Sequence, residues 1–185
     1  GLVRYNSDGT LDTSFGTDGK TITDFGSGDD GSYALAVLDD GKILLSGYAD
    51  NGTDHDFAMA RYDSDGTLDT TFGSGGKTTT DFGYGADVAH ALVVLDSGKI
   101  LVGGYAFNGT DSDFALARYD SDGTPDTTFG TGGKTTTDFG YGDNGSYAMA
   151  VLDGGKILAG GFASNGTDYD FAMARYDSDG TLDTT

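Results

Sequence analysis

The chain has 185 residues and contains no cysteine, glutamate, glutamine or tryptophan, and only one proline. The absence of cysteine excludes disulfide bonds, thiolate metal sites and cysteine catalysis. Because all 30 acidic residues are Asp, the charged residues that favour helices are scarce. Apolar runs are only a handful of residues long, so the sequence predicts no membrane insertion.

Aliphatic residues are also few, and the 30 acidic residues far outnumber the 10 Lys and Arg. Leu, Ile, Val and Phe together make up 36 residues, and the formal net charge is −20. This combination is typical of disordered chains. So acidic a surface does not bind nucleic acid through its phosphates, and it suits cations or basic partners.

A strict internal repeat argues against disorder. The dipeptide Arg-Tyr begins at Arg4, Arg61, Arg118 and Arg175, always 57 residues apart. The chain comprises three such periods and a 14-residue overlap, in which AMARYDSDGTLDTT at the end nearly copies GLVRYNSDGTLDTS at the start. Repetition of one packing pattern at a fixed period predicts an ordered repeat architecture.

Each unit contains four short strand-like runs separated by Gly, Asp and Asn turns. In the first full set they are Ser32–Leu38, Lys42–Tyr48, Phe57–Tyr62 and Lys77–Phe82. The first two are joined by Asp39-Asp40-Gly41, a tight hairpin in which Gly can adopt a positive φ. No stretch shows helical periodicity.

The strands alternate large and small side chains, as in Phe57-Ala58-Met59-Ala60. A sheet with one bulky and one shallow face suits packing between copies of itself. The pairs Gly103-Gly104 and Gly160-Gly161, with Ser46-Gly47 in the first unit, allow close backbone approach. Four strands per unit, packed face to face, predict the blades of a β-propeller.

The segments SYALAVLDDGKILLSGYA and DFAMARYDSDGTLDTTFGSGGKTTTDFG resemble the delta-60 repeat, a prokaryotic β-propeller repeat of uncharacterised function. The resemblance covers the whole chain. The hairpin departs from the family pattern, because Leu-Asp-x-Gly stands where a Pro often precedes Asp-Gly. The resemblance implies a propeller in large secreted or surface proteins, and it brings no catalytic residues.

The sequence therefore predicts an all-β chain of propeller blades that forms an incomplete ring alone. Residues 1–31 are expected to form the third and outer strands of a preceding blade, 32–88 blade 1, 89–145 blade 2, and 146–185 a third blade without its outer strand. Two explanations remain open. The chain is a window of a longer repeat protein, or several copies share strands head to tail, which gives filaments if the rotation does not close.

The motif Asp-x-Asp-Gly-x-x-Asp, in which Asn6 replaces the first Asp in the first unit, offers carboxylates for Ca²⁺, which takes six to eight oxygen ligands. The candidate ligands are Asp8, Asp12, Asp63, Asp65, Asp69, Asp120, Asp122, Asp126, Asp177, Asp179 and Asp183. The alternative is a plain turn in which Asp bonds its own backbone. The pairs Asp54/Asp56, Asp111/Asp113 and Asp168/Asp170 flank a different strand end and are either further ligands or solvated edge charge.

Four of the five Asn residues lie in N-x-S/T contexts, namely Asn51, Asn108, Asn165 and Asn144. They are candidate glycosylation sites, although Asn-Gly is also a favoured turn pair. The repeated Arg residues are expected to pair with a repeat Asp or to stack on Tyr. A ring of Arg that binds an anion is the alternative.

Catalysis has little support, because His55 and His90 occupy different repeat positions and no nucleophile motif accompanies either. We therefore expect a non-enzymatic structural or adhesive protein at the cell surface or outside the cell, with copies of itself or further repeats as partners. The alternative is a module that binds a glycan or a protein. The positions that vary between units, Asp50/Phe107/Ser164 and His55/Ser112/Tyr169, would then recognise the ligand.

Overall fold

The computed structural model describes residues 1–185 and consists of strands, turns and loops. The strands are β1 (Leu2–Val3), β2 (Lys20–Thr21), β3 (Ser27–Val37), β4 (Ile43–Asp50), β5 (His55–Tyr62), β6 (Lys77–Thr80), β7 (Asp87–Val94), β8 (Ile100–Phe107), β9 (Ser112–Tyr119), β10 (Lys134–Thr137), β11 (Asn144–Val151), β12 (Ile157–Ser164) and β13 (Tyr169–Tyr176). The structure contains no helix that could span a membrane.

The strands form four antiparallel sheets. Strands β3 to β6 and β7 to β10 form two four-stranded meanders, β11 to β13 form a three-stranded sheet, and β1 pairs with β2. The prediction of four antiparallel strands per repeat is confirmed. We refer to the three larger sheets as blades 1, 2 and 3 in chain order.

Strand boundaries differ from the predicted ones mainly at the first strand. This strand begins at Ser27 instead of Ser32, because Ser27 pairs with Asp50 across an irregular stretch of the ladder. The hairpin at Asp39-Asp40-Gly41 forms as predicted: Gly41 has a φ of 84°, and its N–H donates to the carbonyl of Leu38 at 2.9 Å.

The first strand of each blade contains a β-bulge. The register shifts between Ser32 and Ala34, and at the equivalent positions of β7 and β11. A bulge redirects the extra side chain, which is Tyr33, His90 or Tyr147. The partner strand approaches so closely here that a Cβ on Gly161 would lie 1.9 Å from the carbonyl oxygen of Gly145. The predicted close backbone approach is thus confirmed for the second glycine of each pair.

The blades pack bulky face to shallow face, as the alternation predicted. Phe57 and Met59 of blade 1 lie in one buried cluster with Ala89, Ala115 and Ala117 of blade 2. The next seam repeats this arrangement, with side chains of blade 2 packed against those of blade 3. Its buried members are Leu101, Phe114, Leu116, Phe129, Ile157, Ala159, Ala174 and Tyr176.

Blade 3 lacks such a neighbour on its outer face, and the sheets form no closed ring. The N-terminal segment covers part of the outer face of blade 1, where Phe15 packs with Ile43 and Tyr62. Phe171 of blade 3 is fully exposed, whereas the equivalent Phe57 and Phe114 are 1% and 0% exposed. At the other end, Leu35 and Val37 of blade 1 are exposed. Both end faces are therefore apolar.

Candidate functional site

The Asp-x-Asp-Gly-x-x-Asp loops follow the third strand of each blade, and protein groups already bind their carboxylates. Asp65 accepts hydrogen bonds from the backbone N–H and hydroxyl of Thr67, at 2.9 and 2.7 Å. Asp63 forms an ion pair with Lys42. Asp69 pairs with Arg61 at 2.7 Å and with Lys42 at 2.9 Å. The equivalent middle carboxylates Asp8, Asp122 and Asp179 cap their own turns in the same way.

The first and last carboxylates of the loop share the ammonium group of Lys42, while the middle carboxylate caps its own turn. The hydrogen bond from Thr71, together with Lys42 and Arg61, holds the pKa of Asp69 well below its ordinary value. Lys156, Thr185 and Arg175 do the same for Asp183. The arrangement matches the turn interpretation of the motif, and Ca²⁺ binding at these loops stays a prediction.

The repeated Arg residues connect consecutive blades. Arg61 lies over the ring of Phe72 at 4.7 Å, and its Nη1 donates to the carbonyl of Ser121 in the next blade at 2.5 Å. We call this arrangement of Arg, Asp and Phe with the next blade's carbonyl the blade latch. It agrees with the expected structural pairing of Arg with Asp, but the stacked ring is Phe and not Tyr. The buried Phe72 was missed, although it recurs at the 57-residue period as Phe15 and Phe129.

The Asn-Gly-Thr turns use both polar atoms of the Asn side chain. Asn51 Nδ2 donates to Asp54 and Asp56, while its Oδ1 accepts the N–H of Thr53 at 2.9 Å. The side chains of Asn108 and Asn165 form the same contacts. Asn144 differs, because it is fully buried at the start of β11. A glycan therefore has no room at Asn144, and glycosylation of the other three stays a prediction.

The bulges place aromatic rings in a row across the blades. The ring of His90 lies 4.7 Å from that of Tyr33 and 4.4 Å from that of Tyr147. Phe162 continues the row to Tyr169, with 4.9 Å between ring centroids. Tyr33, Tyr147 and Tyr169 are exposed, and burial lowers the pKa of His90. We call these five rings the aromatic row.

A second acidic group lies where blade 1 meets blade 2. One carboxylate oxygen from each of Asp56, Asp81 and Asp87 lies within 4.8 Å of the others. Asp56 belongs to β5, Asp81 follows β6 directly, and Asp87 opens β7. Burial raises the pKa of Asp87 to about 7, and it also raises the pKa of Asp56. We call these three residues the seam cluster.

The seam cluster recurs at the next seam with one change. The equivalent positions are Asp113, Asp138 and Asn144, so a neutral amide replaces the carboxylate of Asp87. Asp56, Asp113 and Asn144 each have a buried side-chain oxygen without a hydrogen-bond partner. Sequence reasoning offered Asp56 and Asp113 as further ligands or as solvated edge charge, and it missed Asp81 and Asp87. The available signal was the 57-residue period, at which Asp81 recurs as Asp24 and Asp138 and Asp87 recurs as Asp30.

Antiparallel four-stranded sheets that pack face to face on a fixed repeat define this chain as a stack of β-propeller blades. A family model described as a β-propeller domain of unknown function, DUF5122, matches residues 1–15, 38–72, 96–129 and 155–185. The chain belongs to this family, which is consistent with the resemblance to the delta-60 repeat. No curated protein matches the chain.

Proposed function

We propose that this chain is a non-enzymatic structural repeat protein whose copies associate head to tail through the end faces of the blade stack. The observation that carries this proposal is the contrast between equivalent positions. Phe171 and Met173 are exposed on blade 3, while Phe114 and Leu116 are 0% exposed on blade 2. Exposed apolar patches of this kind mark interaction surfaces.

The contact between blades 1 and 2 within the chain is our model for the contact between blade 3 of one copy and blade 1 of the next. Phe57 and Met59 pack against the shallow face of blade 2, where Leu92 and Val94 adjoin the same cluster. The residues equivalent to Leu92 and Val94 on blade 1 are the exposed Leu35 and Val37. Phe171 and Met173 of one copy therefore fit the face that carries Leu35 and Val37 of the next.

Strand order supports the same geometry. Blade 3 consists of β11, β12 and β13 and has no fourth strand, whereas β1 and β2 have no hairpin of their own. In the association that we propose, β2 of one copy is the outer strand beside β13 of another. Residues 1–14 of one copy and 172–185 of the other are repeat equivalents, so only one of these segments can lie beside β2. Within the chain residues 1–14 lie there, with Leu2 packed against blade 1, and the proposed association displaces them.

Each copy brings three blades to such an assembly. Two copies together have six, within the roughly four to eight blades of closed propellers. Continued addition without closure gives a filament, the usual outcome of a heterologous interface that does not close. Both assemblies use the same contact between copies.

Mass analysis by sedimentation or native mass spectrometry, combined with electron microscopy, tests the proposal. We expect a two-chain ring or an extending series of species, and we expect Phe171→Asp and Leu35→Asp each to shift the population to monomer. Tyr84→Ser is the matched control, because Tyr84 is an exposed aromatic residue away from both end faces. Monomer at every concentration, or association unchanged in both face variants, would contradict the proposal.

We also propose that the assembly acts outside the cell or on its surface, as an adhesive or scaffolding element. The strongly acidic surface, the exposed Asn-Gly-Thr turns and the resemblance to a repeat of secreted proteins support this location. Protease accessibility on intact source cells is the measurement, and complete protection of the chain would contradict it.

A second candidate function is glycan binding at the aromatic row. The exposed Tyr147 and Tyr169 line a depression with Ser112 and Asp143, and aromatic faces with a few polar groups are typical of ligand sites. Glycan-array binding that Tyr147→Ala abolishes would favour this function. Failure to bind any glycan would count against it.

A further inference from the structure

We propose that the seam cluster of Asp56, Asp81 and Asp87 is a Ca²⁺ site that joins blade 1 to blade 2. This site is distinct from the Asp-x-Asp-Gly-x-x-Asp loops, and it goes beyond the proposed association of copies. Its ligands come from three segments that only the fold brings together, two in blade 1 and one in blade 2.

The spacing of the carboxylates fits one calcium ion. Ca²⁺ binds oxygen at about 2.3–2.6 Å, so two ligands of one ion lie at most about 5 Å apart. The three oxygens of the seam cluster lie within 4.8 Å of one another. All are hard oxygen donors, which select Ca²⁺ or Mg²⁺ over softer metals.

One buried oxygen in the cluster has no partner. Asp56 is 7% exposed, and its Oδ1 is buried without a hydrogen bond. Its other oxygen, Oδ2, accepts a hydrogen bond from Asn51 at 3.1 Å. A buried anionic oxygen left unpaired is costly, and a bound cation would satisfy it.

Backbone groups hold the other two carboxylates in place. Asp87 accepts the N–H of Phe82 at 2.7 Å, and Asp81 accepts the N–H of Gly83 through its Oδ1 at 2.5 Å. The cluster is therefore oriented before any ion arrives, and Oδ2 of Asp81 is left without a protein hydrogen-bond donor.

Basic residues neutralise the turn loops but not the seam cluster. Every ion pair of the chain joins a Lys or Arg to an Asp of a turn loop. The nearby Lys134 donates to the backbone carbonyl of Asp81 at 2.6 Å and not to its carboxylate. Three carboxylates at one seam without a basic partner call for a cation from solution.

The repeat supplies an internal comparison. At the next seam Asn144 occupies the place of Asp87, so one negative charge is missing, and the Oδ1 of Asn144 is buried and unpartnered as well. Fewer charged ligands weaken Ca²⁺ sites. We therefore expect one tight site per chain at the seam cluster and a weaker site at Asp113, Asp138 and Asn144.

Calorimetric titration of the chelator-treated chain with CaCl₂ tests the proposal. We expect one tight Ca²⁺ per chain and at least tenfold weaker binding in Asp87→Asn. This variant copies the residue that the chain already carries at 144, so the fold should tolerate it. The reverse variant, Asn144→Asp, should raise the stoichiometry of tight binding from one to two.

The controls separate the seam from the turn loops. Asp65→Asn and Asp122→Asn remove exposed turn carboxylates and should leave the titration unchanged. No Ca²⁺ binding by the native chain, unchanged binding in Asp87→Asn, or loss of binding in Asp65→Asn would each overturn the proposal. Equally tight Mg²⁺ binding would overturn the choice of ion. Titration of the Phe171→Asp variant keeps this test independent of the association of copies.

Discussion

At the scale of single residues, aspartate has three different structural roles in this chain. Asp65 caps its own turn, Asp69 holds the arginine of the blade latch, and Asp87 is buried between two blades. The 57-residue period fixes which Asp has which role. Charge alone does not reveal the role, because the neighbours of each carboxylate come from different strands.

Two adjacent glycines allow a sharp test of packing at this scale. A Cβ on Gly161 would lie 1.9 Å from the carbonyl oxygen of Gly145, whereas a Cβ on Gly160 would meet nothing within 4 Å. We expect Gly161→Ala to lower the free energy of unfolding by about 3 kcal/mol, as in overpacked cores. Gly160→Ala should change it by less than about 1 kcal/mol.

The measurement is denaturant unfolding of both variants, at a protein concentration too low for copies to associate. Gly160→Ala is the control, since it adds the same methyl group on the neighbouring residue of β12. Equal destabilisation of the two variants would show that the bulge does not require its glycine.

At the scale of elements, the sequence predicted the strands and hairpins well because their signals are local. Asp39-Asp40-Gly41 marks a hairpin wherever it occurs, and the alternation in Phe57-Ala58-Met59-Ala60 marks a two-sided strand. The bulge at Tyr33 was not predicted, since it depends on the register of two strands. The stacking of Arg61 on Phe72 escaped for a similar reason, as it depends on how a loop folds back.

The carboxylate of the blade latch predicts how the free energy of unfolding changes at acid pH. The pKa of Asp69 is lowered in the folded state by Thr71, Lys42 and Arg61, so this carboxylate stabilises the fold above its unfolded pKa of about 4. That contribution is lost as the pH falls below about 4 toward the folded pKa. We expect the free energy of unfolding to fall steeply between about pH 5 and pH 2.

The variant Asp69→Asn should be destabilised by about 1–3 kcal/mol at pH 7 and should show a flatter acid limb than the native chain. Urea unfolding across this pH range measures both effects. An unchanged acid limb in Asp69→Asn would contradict the role of the latch carboxylate.

At the scale of the whole molecule, the composition that is typical of disorder belongs to a blade stack. Alanines of the third strand leave space on one face of each sheet, and Phe57 or Phe114 of the neighbouring blade fills it, so fewer aliphatic residues are needed there. The stacking of blades was predictable from the repeat and the alternation. The seam cluster was not, because Asp81 and Asp87 meet Asp56 only after two blades have packed.

The repeat also predicts how stability is distributed along the stack. In a linear repeat array each unit is stabilised by its neighbours, and blade 2 has a neighbour on both faces while blade 3 has one exposed face. Hydrogen exchange of β8 and β12 compares nearly the same sequence in the two settings. We expect the amides of β12 to exchange at least about tenfold faster than those of β8 in dilute solution.

Association of copies would cover the face that carries Phe171 and Met173. Raising the protein concentration should therefore slow exchange in β12 until it approaches that of β8, because a bound partner stabilises the blade it contacts. The Phe171→Asp variant should keep the fast exchange at every concentration. Equal protection of β8 and β12 in dilute monomer would contradict the neighbour effect, and a concentration-independent difference in the native chain would contradict association through this face.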